Sequence, residues 1–190
     1  MNYAGAVQEV LGITKRIDKI NDIRRELNAA ITFFCSDNEF DRDVAQANVA
    51  IDAAEYTQAV ALSTFTRFRK IKYIKQGGSR QALTQTNFND LVRGCIPDYA
   101  YYIVGSDLNI KMRSLCATLD VSWFQFPPIL TESGADQSFW ILDIQPYMVI
   151  DRAAANIFKD IGDGASEQIC RNRSTETYMA FRKDQGVANQ

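Results

Sequence analysis

The stretch VLGITKRIDKINDIRRELNAAITFF, Val10–Phe34, sets the fold class because its apolar side chains recur at intervals of three and four residues. Those positions are Val10, Ile13, Ile17, Ile20, Leu27, Ile31 and Phe34. Arg24 occupies the one interrupted position, and Ile23 widens the apolar stripe. This spacing predicts one continuous amphipathic helix from Ala6 to Cys35. At a rise of about 1.5 Å per residue, the helix would be roughly 45 Å long.

The middle of the chain predicts short β-strands. The segment ANVAIDAAEYTQAVALS (47–63) favours two strands on either side of Asp52–Glu55. FRKIKYIK (68–75) alternates, which would place Ile71 and Tyr73 on one face and Lys70 and Lys72 on the other.

Three further segments extend the predicted β region. YYIVGSDLNIKM (101–112) predicts a hairpin that turns at Gly105-Ser106-Asp107. LDVSWFQF (119–126) alternates and is ended by two prolines, and FWILDI (139–144) predicts a last short strand or an extended entry into a helix.

Helices return at the end of the chain. Pro146 suits a first helical position, and the apolar spacing after it predicts a helix that packs against the N-terminal one. The predicted fold is α+β in a single domain, 1–190, with the helices gathered at the two chain ends. Within it, residues 1–36 and 146–184 form the helical part, 40–145 the β-rich part and 185–190 a flexible tail.

Composition excludes several classes of site. The chain of 190 residues has no histidine, so Ser-His-Asp and Cys-His catalysis and histidine-bound zinc are excluded. The four cysteines, Cys35, Cys95, Cys116 and Cys170, form no CxxC pair, and we interpret them as small apolar residues in a reducing compartment. We predict no metal and no cofactor, and the chain carries neither a signal peptide nor a long apolar span, so no membrane partner is expected.

The stretch TRFRKIKYIKQGGSR, 66–80, is the main functional candidate. It contains six cations and no acid, although the net charge of the chain is only −2. The six are Arg67, Arg69, Lys70, Lys72, Lys75 and Arg80. Three readings stay open: lysines that protect an exposed edge strand, a surface for an acidic protein partner, or a contact to a nucleic-acid backbone.

The carboxylates offer a weaker candidate. Asp41 and Asp43 are close in sequence, but they lie in a polar turn, where a carboxyl group stays solvated. A catalytic acid needs a buried environment that perturbs its pKa. A hydrolase is therefore the third choice, and we predict that the protein is not an enzyme.

The order of four segments resembles the head-to-tail adaptor (connector, or neck) proteins of tailed bacteriophages. They are RFRKIKYIK, YYIVGSDLNIKM, LDVSWFQFPPIL and FWILDIQPYMVIDRAAANIFKDIGD. Trp123 stands where the family pattern often has tyrosine. The resemblance implies a structural virion protein, assembled in the host cytoplasm, that forms a dodecameric ring in the neck between portal and tail. The implied partners are other copies of the chain, the portal protein, a tail nozzle or tail-tube protein, and DNA that passes through without sequence-specific binding.

We predict that protein–protein contacts in such a ring use the six cations together with apolar residues of the terminal helices. The apolar and aromatic candidates are Ile17, Ile20, Leu27, Tyr178 and Phe181. A DNA channel that gripped phosphates would hinder DNA exit, which favours an acidic protein partner for the cations. The alternative is a nucleic-acid-binding accessory protein that uses residues 67–80 as its site.

Overall fold

The computed structural model describes residues 1–131 and 137–184 and confirms the α+β class. The chain forms two compact units, one of Met1–Asn38 with Pro127–Gln190 and the other of Glu39–Phe126. The β-rich part thus ends at Phe126 rather than at residue 145, and residues 127–131 and 137–145 belong with the helices. The predicted flexible tail, 185–190, lies outside the described residues.

The helical unit buries an apolar core between helices from both chain ends, as predicted. Its helices are α1 Tyr3–Thr14, α2 Ile20–Ser36, α4 Trp140–Ile144, α5 Pro146–Asp160 and α6 Gly164–Asp184. Both α1 and α2 pack against α5, whose buried face is lined by small side chains such as Ala153 and Ala154. Small side chains let neighbouring helices approach closely, so α5 is the centre of this unit.

The prediction of one continuous helix from Ala6 to Cys35 is wrong at a single place. The left-handed conformation of Lys15, with φ 53°, ends α1. Its N–H still donates to the carbonyl of Leu11 at 2.7 Å, as in the last turn of a helix. A short 3₁₀ turn, Ile17–Lys19, then leads into α2. Arg16 holds Asp18 through two hydrogen bonds of 2.8 and 2.6 Å and lowers the pKa of that carboxyl to about 2.

The break lets two short helices bury separate faces against α5. Val7 and Val10 of α1 and Ile23 of α2 are fully buried, while Ile17 between the helices is 77% exposed. A straight helix would have kept Ile17 on the buried stripe. Tertiary packing therefore overrides the local periodicity at this point.

FWILDI forms helix α4 and not the strand that its apolar run suggested. The N–H of Leu142 bonds to the carbonyl of Phe139 at 2.8 Å, and Ile141 and Leu142 are fully buried. A short apolar run bounded by polar residues has no periodicity that separates a buried strand from a buried helical turn. The polar segment after Gly162 does form a helix, α6, and the hydroxyl of Ser174 donates to the carbonyl of Met148 on α5 at 2.8 Å.

The β-rich unit contains two sheets that share one core. Its strands are β1 Val44–Ala50, β2 Thr57–Ala61, β3 Phe68–Gln76, β4 Thr84–Gln85, β5 Ala100–Val104, β6 Asp107–Lys111 and β7 Thr118–Gln125. The short helix α3, Phe88–Val92, follows β4. The sheet orders are β1-β7-β3, all antiparallel, and β2-β6-β5-β4, in which β4 runs parallel to β5.

The predicted hairpin is confirmed as β5 and β6, and its turn uses a positive φ of 61° at Gly105. The two predicted strands beside Asp52–Glu55 are also present, but they join different sheets. The interpretation of the cysteines as small apolar residues holds for Cys35 and Cys170, which lie in the helical core, whereas Cys95 is exposed. Cys116 is half-buried beside the β core.

Candidate interaction surface

The basic strand β3 is irregular where it pairs with β7. Lys70 pairs with Phe124 and Tyr73 with Ser122, while the register shifts once between Phe68 and Lys70 and again between Ile71 and Tyr73. Each shift inserts one extra residue into β3, as in a β-bulge. The simple alternation predicted for this strand is therefore wrong.

The second bulge changes which side chains share a face. Ile71 and Ile74 are both buried in the core, and Tyr73 lies on the opposite face. There the phenolic oxygen of Tyr73 accepts a hydrogen bond of 3.0 Å from the side-chain amide of Gln46 on β1. The bulge keeps the apolar face of β3 buried, although the sequence between its isoleucines does not alternate strictly.

Two of the six cations form ion pairs with acids that the sequence places far away. Lys70 pairs with Glu39, and the Nζ of Lys72 lies 2.6 Å from Oδ1 of Asp41. Both acids precede β1, and each pair joins residues 31 positions apart. The stretch looks purely cationic in sequence, but the fold supplies two compensating negative charges.

Three of the cations also lie over aromatic rings. The guanidinium carbon of Arg69 and the Nζ of Lys72 are 5.5 and 5.6 Å from the centre of the Phe124 ring. The Nζ of Lys75 is 4.7 Å from the centre of the Tyr73 ring. These rings shield and orient the charged groups, so their aromatic faces are already covered by the chain's own cations.

Arg67 and Arg80 flank this group. Arg67 has a φ of 51°, and its Nη2 donates to the side-chain oxygen of Gln125 at 3.0 Å. Arg80 is exposed in the loop after β3. The set therefore combines neutralised lysines, stacked cations and two exposed arginines at its ends, and it does not form one continuous bare positive surface.

The apolar candidates divide between core and surface. Leu27 is fully buried and Phe181 is 3% exposed, so these two residues belong to the core of the helical unit and do not form a contact surface. Phe181 stacks on Trp140, with ring centres 6.2 Å apart. Tyr178 is half-buried, and its hydroxyl donates to the side-chain oxygen of Asn38 at 2.7 Å.

Ile17 and Ile20, in contrast, line a surface groove at the break between α1 and α2. The groove has a volume of about 610 Å³ and is lined mainly by apolar atoms. Its lining residues are Gln8, Leu11, Gly12, Lys15, Ile17 and Ile20. The helical periodicity of the sequence predicted that Ile17 and Ile20 lie on the buried stripe of one continuous helix. The groove forms only where that helix is broken, so it could not be predicted from periodicity.

Two aspartates, Asp151 and Asp43, are buried. Asp151 on α5 is fully buried, and the Nη2 of Arg173 on α6 lies 3.4 Å from its Oδ1. Burial raises the pKa of Asp151 above its usual range, and Arg173 opposes that rise. Of the two acids in the turn before β1, Asp41 has a side chain that is 90% exposed, as expected for a solvated carboxyl group. Asp43 is only 5% exposed, so the expectation that both carboxyl groups stay solvated is wrong for Asp43.

No protein-family model matches this sequence, and no curated protein matches it either. In the part of the chain that the structure describes, no group of three or more His, Cys, Asp or Glu side chains is placed to hold a metal ion. Across residues 1–131 and 137–184, no helix is long and apolar enough to cross a bilayer.

Proposed function

We propose that the protein is a structural component of a bacteriophage neck, where copies of the chain form a ring between the portal and the tail. The observation that carries the proposal is the groove lined by Ile17, a large apolar side chain that is 77% exposed at the break between α1 and α2. An exposed apolar group next to a concave apolar surface is typical of protein–protein contacts. The groove indicates a protein contact, and the resemblance of the strand and helix segments to neck adaptors is the reason for proposing a ring as the assembly.

The ion pairs of the basic strand β3 are consistent with a structural protein that lets DNA pass. Lys70 and Lys72 are engaged with Glu39 and Asp41, so the strand does not present six unpaired charges to DNA. A protein that lets DNA slide past benefits from a surface with few phosphate contacts, because each contact adds affinity. The portal protein, a tail nozzle or tail-tube protein and neighbouring copies are the proposed partners, and the ring would line the channel for DNA.

The test is electron microscopy of the purified protein, alone and with portal-containing heads. Rings with rotational symmetry that bind at the portal vertex would support the proposal. Ile17→Asp should abolish rings without unfolding the monomer, because the side chain is already in water. Ile129→Asp is a matched control, since Ile129 is 82% exposed but lies outside the groove. Rings that survive Ile17→Asp unchanged would show that the groove is not the contact.

A further inference from the structure

Helix α6, Gly164–Asp184, packs on α5 with few apolar side chains. Its buried residues are Cys170, Ser174 and Phe181, and most of its other residues are exposed. Helices in proteins are stabilised mainly by burial of an apolar face, and a region with few such contacts opens at a lower free energy than the core. We therefore expect α6 to open more readily than α1, α2 or α5.

The connection between α5 and α6 is suited to act as a hinge. Gly162 has a positive φ of 78°, and glycine can change its backbone angles with little steric cost. Beyond it, the N–H of Ser166 donates to the side-chain oxygen of Asp163 at 3.1 Å, and the N–H of Glu167 donates to the carbonyl of Asp163 at 3.0 Å. This cap lies on the α6 side of Gly162, so α6 can move as one helix and keep its first turn.

The interface between α5 and α6 encloses a carboxyl group. Asp151 is fully buried, and neither of its oxygens accepts a hydrogen bond. The side chain of Arg173, which forms the 3.4 Å ion pair with Asp151, is itself 52% exposed. Across residues 1–131 and 137–184, the ionisable groups that interact with Asp151 are Arg173 and the thiol of Cys170, both on α6. Helices α1, α2 and α4 also pack on α5 and, within those residues, contribute none.

Ionisation of Asp151 disfavours the packed position of α6. A buried carboxylate without hydrogen bonds is costly, and a half-exposed guanidinium offsets only part of that cost. Movement of α6 away from α5 would hydrate the carboxylate. Burial raises the pKa of Asp151, so the packed arrangement holds the proton more tightly than an open one. As pH rises from about 4, the usual pKa of aspartate in water, the packed arrangement loses stability relative to the open one.

We propose that α6 is a hinged helix that separates from α5 transiently, and that it separates more often once the carboxyl group of Asp151 has lost its proton. The opening is local, because α1, α2 and α5 keep their own apolar contacts. It exposes Cys170, whose side chain is only 3% exposed in the packed arrangement. The motion belongs to the single chain and does not depend on the proposed ring.

The first test is thiol labelling of the full chain with a pyridyl disulfide, with each cysteine followed by peptide mass spectrometry. Cys170 reacts when α6 is open, and Cys95 supplies the rate of an exposed thiol in the same sample. The rate of Cys170 relative to Cys95 should rise severalfold between pH 5 and pH 8. A relative rate that stays constant or falls over this range would overturn the proposal.

The second test removes the charge at constant pH. At pH 8, Asp151→Asn should slow the labelling of Cys170 roughly tenfold, because a buried amide costs less than a buried carboxylate without hydrogen bonds. At pH 5 the difference from wild type should be smaller. Asp160→Asn makes the same substitution at an exposed position of α5 and should leave the rate unchanged. Equal rates for wild type and Asp151→Asn at pH 8 would overturn the proposal.

The third test asks whether Arg173 acts through Asp151. Arg173→Gln removes the opposing cation, so it should accelerate the labelling of Cys170 at pH 8 in the wild-type chain. In the Asp151→Asn background the same change should have little effect, because no carboxylate is left to lose its partner. Equal acceleration in both backgrounds would show that Arg173 holds α6 by another contact and would count against the proposal.

The fourth test separates local opening from unfolding of the whole unit. Local opening exposes little new surface, so the labelling rate of Cys170 should depend only weakly on urea at low concentrations. Global unfolding exposes the entire core and has a steep dependence on urea. If the labelling of Cys170 follows the full urea dependence of global unfolding, α6 does not open by itself and the proposal is wrong.

Discussion

Exchanging the charges of the basic strand tests whether its lysines serve the chain's own fold or bind DNA. We consider Lys70→Glu with Lys72→Glu, which turns both ion pairs into repulsive contacts with Glu39 and Asp41. The side chains in these pairs are exposed by 58 and 53%, and by 35 and 90%. Exposed pairs contribute about 0.2–1 kcal/mol each, and like-charge contacts cost a similar amount. The free energy of unfolding of the double variant should therefore be about 1–3 kcal/mol lower than that of wild type.

A fourfold variant provides the matched control. Adding Glu39→Lys and Asp41→Lys to the double variant restores two attractive pairs with inverted signs. If the lysines act through these pairs, most of the lost stability should return in urea unfolding monitored by circular dichroism. If the fourfold variant is no more stable than the double variant, the pairs do not couple and the argument from geometry fails.

The same proteins distinguish a structural strand from a nucleic-acid site. We expect the wild-type chain to bind duplex DNA weakly in fluorescence anisotropy at 50 mM and at 200 mM salt. A site that used all six cations of the stretch would show a logarithmic salt slope near −5, because each phosphate contact contributes about −0.9. Submicromolar DNA binding with such a slope, reduced by about 2 in the double variant, would refute our reasoning and favour the nucleic-acid-binding alternative.

Three further changes test the fold. Asp151→Asn should change the pH dependence of stability in one direction. Burial raises the pKa of Asp151 in the folded chain, so the contribution of this residue to stability falls as pH rises from about 4. In urea unfolding from pH 4 to 8, the free energy of unfolding of the variant relative to wild type should therefore rise with pH, and a difference that does not change with pH would exclude such a contribution from Asp151. Lys15→Gly should raise the melting temperature by a few degrees, since glycine adopts the left-handed φ of 53° without strain, and a lower melting temperature would argue against the break. Leu27→Ala should cost about 2–5 kcal/mol in the same unfolding assay, because the side chain is fully buried, and a cost below about 1 kcal/mol would show that α2 does not pack as described.

Local patterns were sufficient for the parts of the fold that depend on neighbouring residues. The helical spacing before Phe34 and after Pro146 predicted α2 and α5, since an amphipathic period is a property of the segment itself. The hairpin at Gly105 could also be predicted, because its turn needs a residue that tolerates positive φ. These features belong to short stretches of chain and required no knowledge of distant contacts.

Part of the candidate surface could likewise be identified in advance. The cationic character of β3 and the apolar character of Ile17 are visible in the sequence, and both were expected to take part in protein contacts. The assembly itself and its partners remain proposals that rest on the resemblance and on the groove. Leu27 and Phe181 looked equivalent to Ile17 by residue type alone, and only burial separates them.

Tertiary structure decided the features that depend on residues far apart in the chain. Lys70 pairs with Glu39, which is 31 residues away in sequence. The absence of acids within residues 66–80 therefore did not predict that the fold would bring acids next to its lysines. The break at Lys15 lets α1 and α2 each pack a separate face against α5. Strand β1 pairs with β7, whereas β2, its neighbour in sequence, pairs with β6 in the other sheet. Periodicity reports which face of a segment is apolar, whereas the partner of that face is determined by the free energy of packing the whole chain.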